Sequence, residues 1–368
     1  MTAAIPVADG AHVLLVRTSS LGDVVHALPV LTALRRHLPR ARLGWVVEEP
    51  YAPLLAGHPD LDELIVVRLR QWGRRPLAAG TLSGIAAFLA DLDRFAPQVV
   101  IDLMGNHKAA VIAALSLAPR RVGHARAGRR EPSSALWLSE RVPVAGTHAV
   151  DRALSLLDGL GLPREPADFG GEKLFRAPGQ AAAAKSGILP AASPFALLHP
   201  GAGWGNKAYP PAWWGETVRR LHAATGVRTR VAAAPGEEGL AAAVVAAAAV
   251  AGDPAAPTAA ELVSAPDLPA LAALLRGAAL MMGGDTGPTH LAHALGTPVL
   301  MVMGPTDPER HGPYGAPERA VVRRLPCSFC HRRFGEAKAC LLEISPVSLA
   351  GRAAGMLAES SGHGPASP

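Results

Sequence analysis

The chain has 368 residues, 49% of them apolar and 18% charged, which excludes a disordered polymer and suits two domains of roughly 150 to 180 residues. Its net charge of +6 is a weak field for this size and points to no nucleic-acid partner. Arginine clusters within 68–75, 120–130 and 323–333 suit an anionic partner, a phosphorylated glycolipid or a membrane surface, or are solvated surface.

In chain order, short apolar runs alternate with amphipathic stretches. They predict strands at 12–17, 42–48, 63–68 and 98–103 and around Val122. The helices between them fall at 24–38, 82–95, 108–117 and 148–160, and the last closes a first domain. This βαβ series implies a parallel sheet with helices on both faces. Residues 163–194, rich in Pro and Gly, read as the connection. The pattern then restarts, with strands at 195–199, 228–233, 280–283 and 299–303 and helices at 211–224, 237–250, 268–276 and 288–295. The expected fold class is α/β, two doubly wound domains (1–175 and 176–345) whose strand C-termini face a cleft. A last helix at 346–359 precedes a Ser/Gly/Pro tail, expected to be disordered, within 346–368. No segment reaches the roughly 20 apolar residues of a membrane span, and the start lacks the pattern of a signal peptide. A cytoplasmic protein, peripheral to the membrane, is therefore expected.

Loops after strands carry the polar chemistry. The run 18–23, TSSLGD, joins the first strand to the first helix, where backbone N–H groups make an anion site. Asp23 there is either a reactive carboxylate or the N-cap of the helix. The spacing is not G-x-G-x-x-G, so a dinucleotide dehydrogenase loses its main support. The run 199–207, HPGAGWGNK, ends on Lys207 but has Asn206 before it and Ala208 after it, so it is not a Walker A loop. A flexible loop ending in a cation still suits a diphosphate. In 283–290, GGDTGPTH, glycines permit close backbone approach and Pro288 suits a first helical turn that leaves amides free for phosphate. Glu237, in the loop after strand 228–233, is placed either to accept ribose hydroxyls or to offset a helix dipole.

Cys327, Cys330 and His331 form C-x-x-C-H, with Cys340 nine residues after His331. Haem attachment needs an export signal that is not seen here, leaving a zinc site or reduced thiols as readings. The segment follows the glycine-rich loops instead of lying among them, so it is expected to stand outside the chemistry.

Together, VLLVRTSSLGDVVHALP with WVVEEPYAPLL, and GGDTGPTHLAHALGTPVLMVMGPTDPERHGPYG, resemble glycosyltransferase family 9, which includes the lipopolysaccharide heptosyltransferases. The likeness covers most of residues 12–315, and the N-terminal run points to type I over type II. The cysteine segment departs from the type I pattern. The resemblance implies a GT-B architecture of two Rossmann-like domains, acceptor-binding then donor-binding, with the C-terminal helix returning toward the first. It implies inverting, metal-independent transfer from ADP-heptose to a Kdo–lipid A acceptor, with no cofactor. Carried over, Asp23 is the general base, Lys207 offsets donor phosphate charge and Glu237 holds the ribose. Asp285, Thr286, Gly287 and His290 form the diphosphate and sugar loop, and Pro266 lies beside the adenine. Gly201 and Ala202 replace hydroxyl residues of the usual loop and keep only backbone contacts. Ser19, Ser20, Gly22, Arg120 and Arg130 are the expected acceptor contacts. Another nucleotide sugar, an epimerase of the same fold, or a non-catalytic nucleotide-sugar binder are the rival readings.

Overall fold

The computed structural model describes residues 5–176, 193–249 and 258–362. It consists of two compact units, Met1–Gln180 and Ala181–Pro368, against the expected boundary at 175/176.

The first unit holds a parallel sheet of β1 (His12–Val16), β2 (Arg42–Glu48), β3 (Glu63–Val67), β4 (Val99–Asp102), β5 (Arg120–His124) and β6 (Glu140–Val142), in the order β3-β2-β1-β4-β5-β6. Its helices include α1 (Leu21–His37), α2 (Ala79–Phe95), α3 (His107–Leu115) and α4 (Ala149–Leu154). Leu14, Val16, Val46, Ile65 and Val100 of the strands pack on Phe88, Leu92 and Phe95 of α2 and on Ile112 of α3. Each such fully buried side chain contributes about 1.5–3 kcal/mol by leaving water.

The second unit repeats the plan with β7 (Phe195–His199), β8 (Arg228–Ala233), β9 (Ala260–Ser264), β10 (Leu280–Gly284), β11 (Val299–Met303) and β12 (Ala320–Val322), ordered β12-β11-β10-β7-β8-β9. Numbered within its own unit, each sheet therefore has the doubly wound order 3-2-1-4-5-6, reversing direction between its first and fourth strands. Here the helices include α5 (Pro211–Thr225), α6 (Glu238–Ala248), α7 (Leu268–Gly277), α8 (Gly287–Ala294) and α9 (Pro346–Gly362). Trp214, Val218 and Leu221 of α5 join Leu198, Val231, Met282 and Leu300 of the sheet in one core.

Several boundaries differ from expectation for identifiable reasons. The helix expected at 24–38 begins at Leu21, because Ser20 is its N-cap. The one expected at 148–160 is α-helical only over Ala149–Leu154 and tightens to a 3-10 helix over Ser155–Leu160, ending at Gly161 with φ of +69°. Strands β6, β9 and β12 carry too little alternation to be seen in sequence; tertiary pairing at or near a sheet edge forms them. Leu349, Ala353 and Leu357 of α9 lie in the second unit's core, so the apolar face of the C-terminal helix is spent there. Helix α9 runs on to Gly362, so the first three residues of the tail expected to be disordered after 359 are helical; 363–368 lie outside the described residues, as do 177–192 of the connection and the last residue of the helix expected at 237–250.

Two buried rings give stability a pH dependence. Burial pushes His58 and His124 down to about 4 from the usual 6.5. The unfolded chain takes up these protons near 6.5, whereas the folded chain does so only near 4. Stability is therefore full above that window and falls as pH drops through it, by on the order of 3 kcal/mol per ring. The thermal midpoint is expected to fall between pH 6.5 and 4, and His124→Gln to flatten the fall. An equally steep decline in that variant would show that the ring is not responsible.

Candidate active site

In the second unit, the polar loops gather where β7 and β10 lie side by side, the point at which the sheet reverses direction. The loop after β7 runs to Lys207, whose Nζ donates to Asp285 Oδ2 at 2.6 Å and to the Asp285 carbonyl at 3.1 Å. The same ammonium lies 4.6 Å from the Trp204 ring centroid, a cation–π distance. On its other oxygen, Asp285 meets His290 Nε2 at 2.9 Å. Burial alone would raise the Asp285 carboxyl, but the His290 hydrogen bond and the charges of Lys207, His290 and His311 outweigh it. Its pKa is held well below the ordinary 3.8.

Helix α8 starts in this constellation. Thr286 is its N-cap and Gly287 its first residue, followed by Pro288, which has no N–H to leave unsatisfied. The amides of Gly287 and Thr289 precede the helix's own hydrogen-bond ladder and carry its positive end. A cation, two first-turn amides and an acid that anchors the cation are together suited to an oxyanion such as a diphosphate.

Glu237 follows β8, and its carboxylate turns to His199 at the end of β7, with Oε2 3.3 Å from Nε2. The His199 ring beside it holds the Glu237 carboxyl below its usual range, against the opposing effect of burial. Glu237 occupies the N-cap position of α6 without a side-chain cap bond, and it is Glu238 that accepts from the Gly236 amide at 2.9 Å. Gly201 packs against the Glu237 carboxylate so closely that a Cβ there would come within 2.3 Å of Oε1. Ala202 is half-buried beside it, and Pro266 is exposed between β9 and α7.

In the first unit, Asp23 sits three residues into α1 and is not its N-cap, contrary to one expectation. Its Oδ2 accepts the Ser20 backbone N–H at 3.1 Å and the Ser20 hydroxyl at 2.8 Å, the return half of a capping box. Arg17 pairs with the other oxygen and also donates to the Leu103 carbonyl, while the Trp45 indole binds the Arg17 carbonyl at 3.1 Å. Ser19 is half-buried and Gly22 buried. Ser20, expected to meet an acceptor, has both its donors turned to Asp23.

The arginine cluster divides. Arg120 lies at the N-terminal end of β5, away from the ligand-binding edge, and is bound to Glu140 at 2.7 and 3.0 Å and to the Ile5 carbonyl at 2.8 Å. It is a structural anchor, which corrects the acceptor role expected for it. Arg130, after the C-terminal end of β5, is exposed. Between them Arg129 is fully buried on Asp102 and bonded to Ser134 Oγ at 2.8 Å.

The cysteine segment is also placed differently from expectation. Asn206, next to Lys207, hydrogen-bonds residues 332 and 334, so this segment lies against the Lys207 loop. Cys327 and Cys330 are exposed and Cys340 is buried, while the His331 ring meets that of His311 at 6.1 Å. Among the described residues no three His, Cys, Asp or Glu side chains converge as a metal ligand set. Sequence reasoning missed His199, Trp204 and Asn206; the one visible signal was an aromatic residue inside an otherwise Gly-rich loop.

Two doubly wound units of the same strand order, one with its polar loops gathered at the switch point, define an α/β protein of GT-B architecture. The sequence profile of glycosyltransferase family 9 (heptosyltransferase) matches residues 85–339. Lipopolysaccharide heptosyltransferase 1 of Pseudomonas aeruginosa is 33% identical over 336 residues, 88% of this chain and 86% of that one. Its namesake from Escherichia coli K12 is 29% identical over 86% of this chain and 94% of its own length. The structure of E. coli heptosyltransferase WaaC with ADP superposes with a TM-score of 0.75 at 27% identity, covering 95% of this chain and 99% of that one. The chain belongs to glycosyltransferase family 9, and it is a glycosyltransferase. No helix among the described residues is long and apolar enough to cross a membrane.

Proposed function

We propose that this enzyme transfers heptose from ADP-L-glycero-β-D-manno-heptose to the Kdo–lipid A inner core of lipopolysaccharide, with inversion at the anomeric carbon. The observation that carries this reading is the Lys207–Asp285–His290 constellation at the N-terminus of α8, in a chain of this family. The relatives support the choice of sugar. Both relatives described above are named lipopolysaccharide heptosyltransferase 1, and WaaC has been solved with ADP and with ADP-2-deoxy-2-fluoro heptose.

In this reading an acceptor hydroxyl attacks the anomeric carbon as the bond from that carbon to the β-phosphate oxygen breaks. Its proton passes to the Asp23 carboxylate, and the electron pair leaves on ADP. Lys207 and the first-turn amides of α8 stabilise that charge, Glu237 holds the ribose, and Pro266 borders the adenine. Asp285 keeps Lys207 and His290 in place.

Arg70, Arg74 and Arg75, with Gln71, border an open depression of about 400 Å³, and Leu77, two residues after Arg75 in the chain, is 87% exposed. This basic face supports peripheral contact with anionic lipid at the cytoplasmic side of the inner membrane.

The test is incubation with ADP-heptose and Kdo–lipid A, followed by mass spectrometry for addition of one heptose. Turnover with another nucleotide sugar alone would assign a different transferase, and ADP-sugar binding without any turnover would assign a binding protein. Since the protein's own cation and amides are assigned to the diphosphate, EDTA is expected to leave the rate within about twofold. Loss of activity restored by magnesium would overturn that assignment.

A further inference from the structure

Residues 332–335 lie 126 or more positions after Asn206, yet they hold it by every polar group it has to offer except its carbonyl. The Asn206 backbone N–H donates to the Phe334 carbonyl at 3.0 Å, its Nδ2 donates to the Arg332 carbonyl at 2.8 Å, and its Oδ1 accepts the Phe334 N–H at 3.2 Å. Asn206 is 1% exposed. Beside it, a Cβ on Gly205 would fall 2.1 Å from the Gly335 carbonyl oxygen, so the two backbones touch and only glycine fits. Lys207 completes the same 3-10 turn, Gly205–Lys207, and its N–H donates to the Trp204 carbonyl at 3.0 Å. The Trp204 ring carries both the Lys207 ammonium and the Arg333 guanidinium, each 4.6 Å from its centroid. The far side of the segment is tied down as well, through the His331 N–H to the Pro305 carbonyl at 2.9 Å.

We infer that segment 332–335 and Asn206 form a clasp that sets the reach of Lys207, making Asn206 a positioning residue for the diphosphate of the donor. The inference rests on the donor reading proposed above. A glycine-rich loop alone would let the lysine backbone wander. Three hydrogen bonds to a segment itself anchored to the loop after β11 remove that freedom before a ligand arrives, and preorganisation of this kind raises affinity by lowering the cost of ordering. The cysteine segment therefore serves the donor site through its backbone, with no thiol chemistry.

The test is a double-mutant cycle on ADP affinity, measured by calorimetry at fixed ionic strength with unfolding followed in parallel. Asn206→Ala is expected to weaken ADP binding about tenfold while the protein stays folded, because Arg332 and Phe334 are exposed and water can serve the freed groups. In a Lys207→Met background the same substitution is expected to change affinity by less than about twofold, since its effect runs through the lysine. Asn206→Ser, which keeps one hydrogen-bonding group, should fall between, and it supplies the measurement should the Ala variant not fold. An equal loss in both backgrounds, or none in either, would overturn the inference. Wild-type binding of ADP that Lys207→Met weakens upholds the donor reading separately; no wild-type binding would sink both.

Discussion

Asp23→Asn is expected to lower turnover by about 10²- to 10⁴-fold, the range for losing a general base, with little loss of fold. The structure makes the two effects separable. An amide at this position still accepts from the Ser20 N–H, so the turn at the start of α1 keeps its shape. What is lost is the ion pair with Arg17, whose Asp23 side chain is 37% exposed. Arg17 is only 16% exposed, but an amide oxygen can still accept from its guanidinium, so that loss is about 1–2 kcal/mol. ADP affinity should change far less than the rate, because the diphosphate contacts are assigned to the second unit. Steady-state rates alongside a thermal unfolding curve decide the matter. A variant with near-normal turnover would leave Asp23 a purely structural residue of the first helical turn.

Lys207→Met should weaken ADP binding by about 10- to 150-fold, the equivalent of one charged hydrogen bond at about 1.5–3 kcal/mol. It should also destabilise the protein, because it strips a buried carboxylate of its cation. Breaking such a pair from one side costs about 3–5 kcal/mol. Adding Asp285→Asn to Lys207→Met should recover part of the stability, since neither partner is then left charged and alone, but none of the affinity. Acid provides a second handle on the same pair. The folded Asp285 carboxyl titrates well below 3.8, so its stabilisation is complete above that value and fades as pH falls through the depressed one. The stability gap between wild type and Asp285→Asn should therefore narrow on acidification below about 4. A gap independent of pH would mean that the carboxylate is not the stabilising species.

The strands at the centre of each sheet were legible because local chemistry brackets them. Pro194 and Pro200 enclose β7, and Pro298 and Gly304 enclose β11, so their bounds follow from the sequence to the residue. The loops after them were also visible, since Gly, Asp, Thr and His at a strand-to-helix turn have few uses besides ligand contact or capping. Partnership was not visible. Nothing near Asn206 predicts that residues 332 and 334 will claim it, and nothing near His199 predicts Glu237, because folding alone brings these segments together. The error at Arg120 has the same origin. Composition marks a basic cluster, but the strand direction decides that Arg120 is at the wrong end of β5 and bonded to Glu140. Short edge strands such as β6 escape for a related reason: with only Val142 buried, their existence depends on a neighbour and not on their own pattern.

The carboxylate of Asp23 has a meaning beyond base chemistry. In the first unit the first helix, α1, begins at an electropositive turn of the kind that can seat a phosphate, whereas in the second unit the amides assigned to the diphosphate open α8, after the fourth strand. In the first unit that seat is already taken by the chain itself: Asp23 sits on the donors of Ser20, and Arg17 neutralises it from the other side. A nucleotide arriving there would meet a negative charge with its counter-ion already supplied. The turn that opens α1 is thus filled by an internal surrogate anion. A phosphate competing for this turn would have to displace Asp23, so in the proposed reading the first unit offers the acceptor hydroxyl a carboxylate there and the diphosphate is left to α8.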